Sequence, residues 1–170
     1  MNNEIFVSND EVIVSKTDTQ GRIVYANRVF MQISNYTEEK LLGQHHNIIR
    51  HSDMPRGVFH GLWHTLKAGN EFFGFVKNST SDGNYYWVFA NITPDYNSGE
   101  LAGYYSVRRK APNEAIELIQ SIYTKMKGIE QTEDKKNGPA LSWKTMVDDI
   151  LSETNMTYSE YVISLYNKSR

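Results

Sequence analysis

The chain has 170 residues, 39% of them hydrophobic, with 18 basic and 20 acidic side chains and a formal net charge of −2. That near balance gives no field suited to nucleic acid or an anionic membrane surface. Cysteine is absent, which excludes disulfides, cysteine-ligated zinc or iron–sulfur centres, thiol nucleophiles and cysteinyl photoadducts.

The length allows one compact domain and an appendage. The N-terminus, MNNEIFVSNDEV, lacks the basic and apolar regions of a signal peptide. No window is apolar for the roughly 18 residues that a membrane span needs. Direct membrane insertion is therefore not expected.

Residues 1–11 are read as an N-terminal cap segment. Two β-branched runs, 12–17 and 22–25, flank Asp18-Thr-Gln-Gly21, a turn in which Gly21 supplies positive φ. Residues 27–33 then read as a short helix with Val29, Phe30 and Ile33 inward. Thr37 is placed as an N-cap for 38–42, with Gly43 behind it. Asp53 is placed as the N-cap of a longer helix, with Pro55 in its first turn. Val58, Phe59, Leu62, Trp63 and Leu66 give that helix a broad apolar stripe. Strands are expected at 72–80, 85–94 and 101–110, joined by turns at Ser81-Asp82-Gly83-Asn84 and Asn97-Ser98-Gly99-Glu100. Strands, helices, then strands again indicate an α+β domain over 12–111, with helices on one face of an antiparallel sheet.

Beyond Pro112 the pattern changes. Asn113 can cap a helix running to about Lys127, with Ile116, Ile119, Tyr123 and Met126 on one stripe. Gly128 to Pro139 is polar and reads as a linker. Ser142 opens a second amphipathic segment, and Thr157 and Glu160 have capping-box spacing for a third. These helices of 112–170 cannot bury their stripes alone. They must pack on the sheet domain, on each other or on a partner.

All five histidines fall within 45–64. His60 and His64 share one helical face, but no glutamate follows His60, so the metalloprotease pattern fails. The alternative for both is a polar, solvated face. No nucleophile elbow, P-loop or dinucleotide glycine pattern occurs, and no enzymatic activity is expected. Arg50 and His51 are donors matched to phosphate or a carbonyl edge. Asp53 can accept from a ribose or ring N–H, helix capping being its other role. Asn27 and Asn78 fall on elements expected to line the hollow between helices and sheet. Phe59 and Trp63 supply stacking surface there or ordinary core packing.

These segments resemble a PAS domain. The general pattern is Gly21-Arg-Ile-Val-Tyr-Ala-Asn27-Arg-Val-Phe30, Tyr36 and Leu41-Leu42-Gly43. A sharper likeness, to the PAS domain of bacterial aerotaxis receptors, lies in His46-Asn-Ile-Ile-Arg50-His51-Ser-Asp53-Met-Pro55, Phe59 and Leu62-Trp63. It continues through Gly74-Phe-Val-Lys-Asn78, Gly83, Tyr86-Trp-Val88, Ala90-Asn91 and Gly103-Tyr104. Asn35 stands where the family often has glycine, and Phe73 where it often has tryptophan. The resemblance implies a five-stranded antiparallel PAS sheet holding non-covalent FAD, with Asn27, Arg50, His51, Asp53, Phe59, Trp63 and Asn78 lining or shaping the pocket. It further implies a cytoplasmic redox or energy sensor, most like the separate PAS subunits of bipartite energy-taxis systems. The partner implied is a membrane-bound methyl-accepting transducer or HAMP-containing signalling protein, through which any membrane association would be made. The C-terminal helices then face that partner or build a homodimer. Two other readings stay open: a haem-binding PAS sensor with His51 or His64 as axial ligand, and a cofactor-free PAS interaction module.

Overall fold

Gly21 sits at φ +81° and turns the chain back on itself, pairing β1 (Ile13–Thr17) with β2 (Ile23–Ala26). The computed structural model describes residues 2–168. Three short helical pieces follow: α1 (Arg28–Ser34), α2 (Glu38–Leu41) and a 3-10 turn (His46–Ile49). The longer α3 (Arg56–Lys67) leads into β3 (Phe72–Ser79), β4 (Tyr85–Asn97) and β5 (Glu100–Lys110). The tail forms α4 (Asn113–Thr132), α5 (Gly138–Thr154) and α6 (Tyr158–Lys168).

The five strands make one antiparallel sheet in the order β2-β1-β5-β4-β3. Both expected hairpins form, with positive φ at Gly83 and Gly99. Strand alternation divides the residues between two faces. Val76, Asn78, Ala90, Ile92, Tyr104, Ser106 and Arg108 turn toward α3 and the 3-10 turn. Phe75, Lys77, Trp87 and Phe89 occupy the other face, cross-strand from one another.

β3 is an edge strand, and an open edge invites further pairing. Here the tail closes it. The Tyr123 hydroxyl of α4 donates to the Phe75 carbonyl at 2.6 Å, and its ring stacks on Trp87. Tyr166 of α6 stacks on Phe89 with centroids 4.2 Å apart. Helix α5 lies against α3, where Gly57 and Gly61 leave a flat strip. A Cβ on Gly61 would fall 2.2 Å from the Trp143 ring, and one on Gly57 2.2 Å from Ser142 Oγ. Tail residues such as Ile119, Tyr123, Met126, Met146 and Val162 belong to the same core as Val58, Phe75 and Tyr86.

Four expectations change. Asn113 does not cap α4 but is its first residue, with Pro112 in the N-cap position. Asp53 does not cap α3, which begins at Arg56 with Pro55 as its N-cap residue. The cap comes from the tail: the Glu130 carboxylate accepts from Arg56 N–H at 3.0 Å and Gly57 N–H at 2.7 Å. A carboxylate at a helix N-terminus satisfies orphan donors and opposes the helix dipole. The expected linker is also shorter than the composition indicates. Helix α4 runs on to Thr132, and α5 starts at Gly138 with Pro139 in its first turn rather than at Ser142. Asp134 forms the intervening turn, accepting from Lys136 and Asn137 N–H at 2.8 Å each. The Thr157–Glu160 capping box forms as the spacing predicts.

Glu130→Ala should lower unfolding stability by about 1–2 kcal/mol through loss of this cap. Urea denaturation checks it, with Lys144→Ala, which breaks an exposed α5 ion pair, as a near-neutral control.

Candidate functional site

Helix α3 is amphipathic, and its apolar stripe does not press flat onto the sheet. Phe59, Leu62, Trp63 and Leu66 instead form one wall of a cavity of about 750 Å³, mouth included. The 3-10 turn and its flanks supply His45, His46, Asn47, Ile49 and Arg50. The sheet supplies the floor: Thr17, Val76, Asn78, Ala90, Ile92, Tyr104, Ser106 and Arg108.

The floor holds a buried cation. Arg108 is 2% exposed. Its Nη2 donates to Ser15 Oγ at 2.7 Å, and its guanidinium lies 4.4 Å from the Phe30 ring centroid. Nε and Nη1 have no partner, and no carboxylate forms an ion pair with it among the described residues. Burial lowers its pKa to about 10, so it stays charged at neutral pH. Ser15 Oγ also lies 2.9 Å from His46 Nε2. If Ser15 accepts from Arg108 and donates its one proton to Nε2, His46 is neutral with its proton on Nδ1. Burial and the neighbouring Arg108 charge favour that state, pushing the His46 pKa down to about 3.

Another donor on this floor lacks a partner: Asn78 Nδ2. The Tyr86 hydroxyl, beside it on β4 but outside the cavity lining, is also buried without one. Burial raises the Tyr86 pKa to about 12, so its hydroxyl keeps its proton. Buried donors without acceptors are costly and uncommon in native proteins. Unpartnered donors on a cavity floor mark a place where a ligand can supply acceptors. At the mouth, Arg50 stacks its guanidinium 3.6 Å from the Phe59 ring centroid. Trp63 meets Tyr104 edge-on at 5.4 Å.

A sequence profile described as the PAS fold matches residues 23–108. The chain belongs to the PAS family. It is 42% identical over 117 residues to the aerotaxis receptor of Escherichia coli, covering 69% of this chain and 23% of the receptor. It is 34% identical over 104 residues to the nitrogen fixation regulatory protein of Klebsiella oxytoca, covering 61% of this chain and 21% of that protein. The chain thus spans roughly a fifth of the length of these relatives. Among solved structures, a Light-Oxygen-Voltage domain from a study of a flavin analogue superposes with a TM-score of 0.57 at 18% identity. That match covers 65% of this chain and 83% of that domain and shows a shared fold.

Within the PAS cavity the structure gathers four of the residues singled out from sequence: Arg50, Phe59, Trp63 and Asn78. Asn27, His51 and Asp53 are absent from its lining. Asn27 is the N-cap of α1; its Oδ1 accepts from Phe30 N–H and Val14 N–H, both at 3.0 Å, and its Nδ2 donates to the Val12 carbonyl at 2.8 Å. Its amide therefore ties α1 to the residues entering β1. His51 Nδ1 accepts from Asp53 N–H at 3.1 Å, and its ring meets Tyr85 edge-on. Asp53 pairs with Lys77 at 2.7 Å on the other side of β3, and the hydrogen bond from Lys77 is the main cause of its lowered pKa. These last two shape the site indirectly by fixing the loop behind Arg50, which bridges Asn78 along the β3 edge. Sequence reasoning missed Arg108, Ser106 and Tyr104. Their signal was strand phase, since they alternate on β5 with exposed Tyr105 and Arg109.

The depressed His46 pKa makes a pH prediction. The unfolded imidazole takes a proton near 6.5, whereas the native ring resists it down to about 3. The resulting stability is present above 6.5 and is lost as pH falls through that window. Urea unfolding of His46→Gln across the same window should show a shallower acid loss than the wild type.

Proposed function

We propose that this PAS domain binds FAD non-covalently in the cavity and reports flavin redox state to a chemotaxis-type transducer. The observation that carries this reading is Arg108: a buried cation with two free donor nitrogens, on a floor shared with Asn78, Thr17 and Ser106 and with the apolar Val76, Ala90 and Ile92. A planar ligand with carbonyl acceptors on one edge and an apolar body fits that arrangement. The flavin ring is such a ligand, and the aromatic wall of Phe59 and Trp63 suits its faces. When bound, a flavin supplies electron transfer to and from cellular carriers.

The chain's own groups then set how that chemistry is felt. Arg108, held by Ser15, favours negative charge at the ligand edge it faces. His46 stays neutral beside it and adds no second charge. Asn78 offers an amide, able to donate or accept according to the state of the ligand. Its neighbour Lys77 points to the opposite face and holds Asp53, so a shift of β3 at Asn78 also reaches the loop under α4. Ligand state acts only through differential interaction with two conformations, and this strand is where such a difference would be read.

The partner proposed is of the methyl-accepting or HAMP-containing class, met in the cytoplasm. For the haem reading, His51 and His64 lie outside the cavity lining.

Purified protein, as isolated or reconstituted with FAD, should show oxidised-flavin absorbance and release FAD on denaturation. A Soret band, or failure to take up flavin, would overturn the reading. Arg108→Met should weaken flavin retention by about tenfold or more, measured by equilibrium dialysis. Trp63→Ala should lower flavin occupancy in the same assay.

A further inference from the structure

The tail keeps an apolar strip that the sheet domain does not use. Helix α4 buries Ile116, Ile119, Tyr123 and Met126 in the shared core. A second stripe runs beside that one: Leu118, Ile122, Lys125 and Ile129 recur at helical spacing along one side of the rod. Leu118 stays 51% exposed, and Ile122 and Ile129 are only half-buried. Ile122, Lys125 and Ile129 form one wall of a groove of about 470 Å³, its open side included. Met146, Asp149, Ile150 and Glu153 of α5 form the other wall. The charges of this groove are sorted by wall. Lys125 stands on α4, Asp149 and Glu153 one turn apart on α5, and none of the three forms an ion pair among the described residues. The hairpin of α4 and α5 thus presents opposite charges across an apolar strip, each without a mate.

We propose that this groove is the contact surface for a second copy of the chain, joined about a two-fold axis that runs along the α4–α5 hairpin. Such an axis sets α4 of each copy on α5 of the other. Lys125 of one copy then meets Asp149 and Glu153 of the other, twice over. Leu118, Ile122 and Ile129 pack between them, and the two hairpins make a four-helix arrangement. A two-fold contact uses the same patch on both copies, so the patch must be complementary to itself. A groove with one sign of charge on each wall meets that demand, whereas a groove of a single sign calls for an unlike partner. An apolar centre with a charged margin is also the ordinary anatomy of a protein interface. The margin then fixes register and partner choice more than affinity. The inference stands apart from the flavin reading.

The test is the association state of the full chain, read by sedimentation equilibrium across a concentration series, with circular dichroism confirming each fold. The four positions changed are all exposed. The wild type should dimerise, less tightly as ionic strength rises. Leu118→Glu should weaken the dimer by about tenfold or more. Lys125→Glu, and the double variant Asp149→Lys, Glu153→Lys, should each sediment as monomers where the wild type is dimeric. An equimolar mixture of these two should dimerise again. Each contact between copies then joins opposite signs, while the charges within each chain stay mismatched. A wild type that remains monomeric at every concentration, a dimer indifferent to these variants, or a mixture that stays monomeric would overturn the assignment.

Discussion

A positive charge buried without a carboxylate partner among the described residues organises this domain. Arg108 has a serine and an aromatic face for company, and the enclosing groups are arranged to tolerate it. His46 is held neutral, Tyr86 keeps its proton, and Phe30 presents its π face. Removing such a cation from water costs several kcal/mol even after relaxation, so the fold retains it at the expense of stability. Asn78 Nδ2 adds a second unpartnered donor to the cavity floor. A pocket with this character selects for acceptors and against cations.

The elements around the pocket follow from ordinary local rules. Gly21, Gly83 and Gly99 sit in positive-φ turns, and those turns set which strands pair. Strand pairing then fixes phase, and phase decides that Arg108 turns in while Arg109 turns out. The apolar spacing of Phe59, Leu62, Trp63 and Leu66 aims one side of α3 at the pocket. Asn27 ties α1 to the residues entering β1.

Much of this was legible in the sequence, because it depends on neighbours a few residues apart. The hairpins, the capping box at Thr157 and the stripe of α3 are local. What escaped is non-local. Asp53 looks like a helix cap until Lys77, on β3, claims it. Glu130 sits in a polar stretch that resembles a linker, and only the folded tail brings it to the α3 N-terminus. Arg108 lies in Val-Arg-Arg-Lys, a run that reads as solvated charge. Its burial becomes visible only when Ala90 and Ile92 on the paired strand set the phase. Within the aerotaxis-like motif, proximity in sequence did not mean a shared destination. Arg50 and His51 are adjacent, yet one lines the cavity and the other braces the loop behind it.

Helix α3 carries the pocket on one side and the tail on the other. Its aromatic residues bound the cavity, and its glycine strip is in contact with Trp143 and Ser142. A single rigid rod thus has two contact surfaces and cannot adjust one without presenting the other differently. If occupancy of the pocket alters the position of this rod, docking of the tail must alter pocket affinity by the same factor, because linkage is reciprocal. A protein that competes for α5 would then loosen the ligand as surely as the ligand would resist the competitor. Gly57 and Gly61, where Ser142 and Trp143 approach α3 most closely, are the place where that exchange would be made.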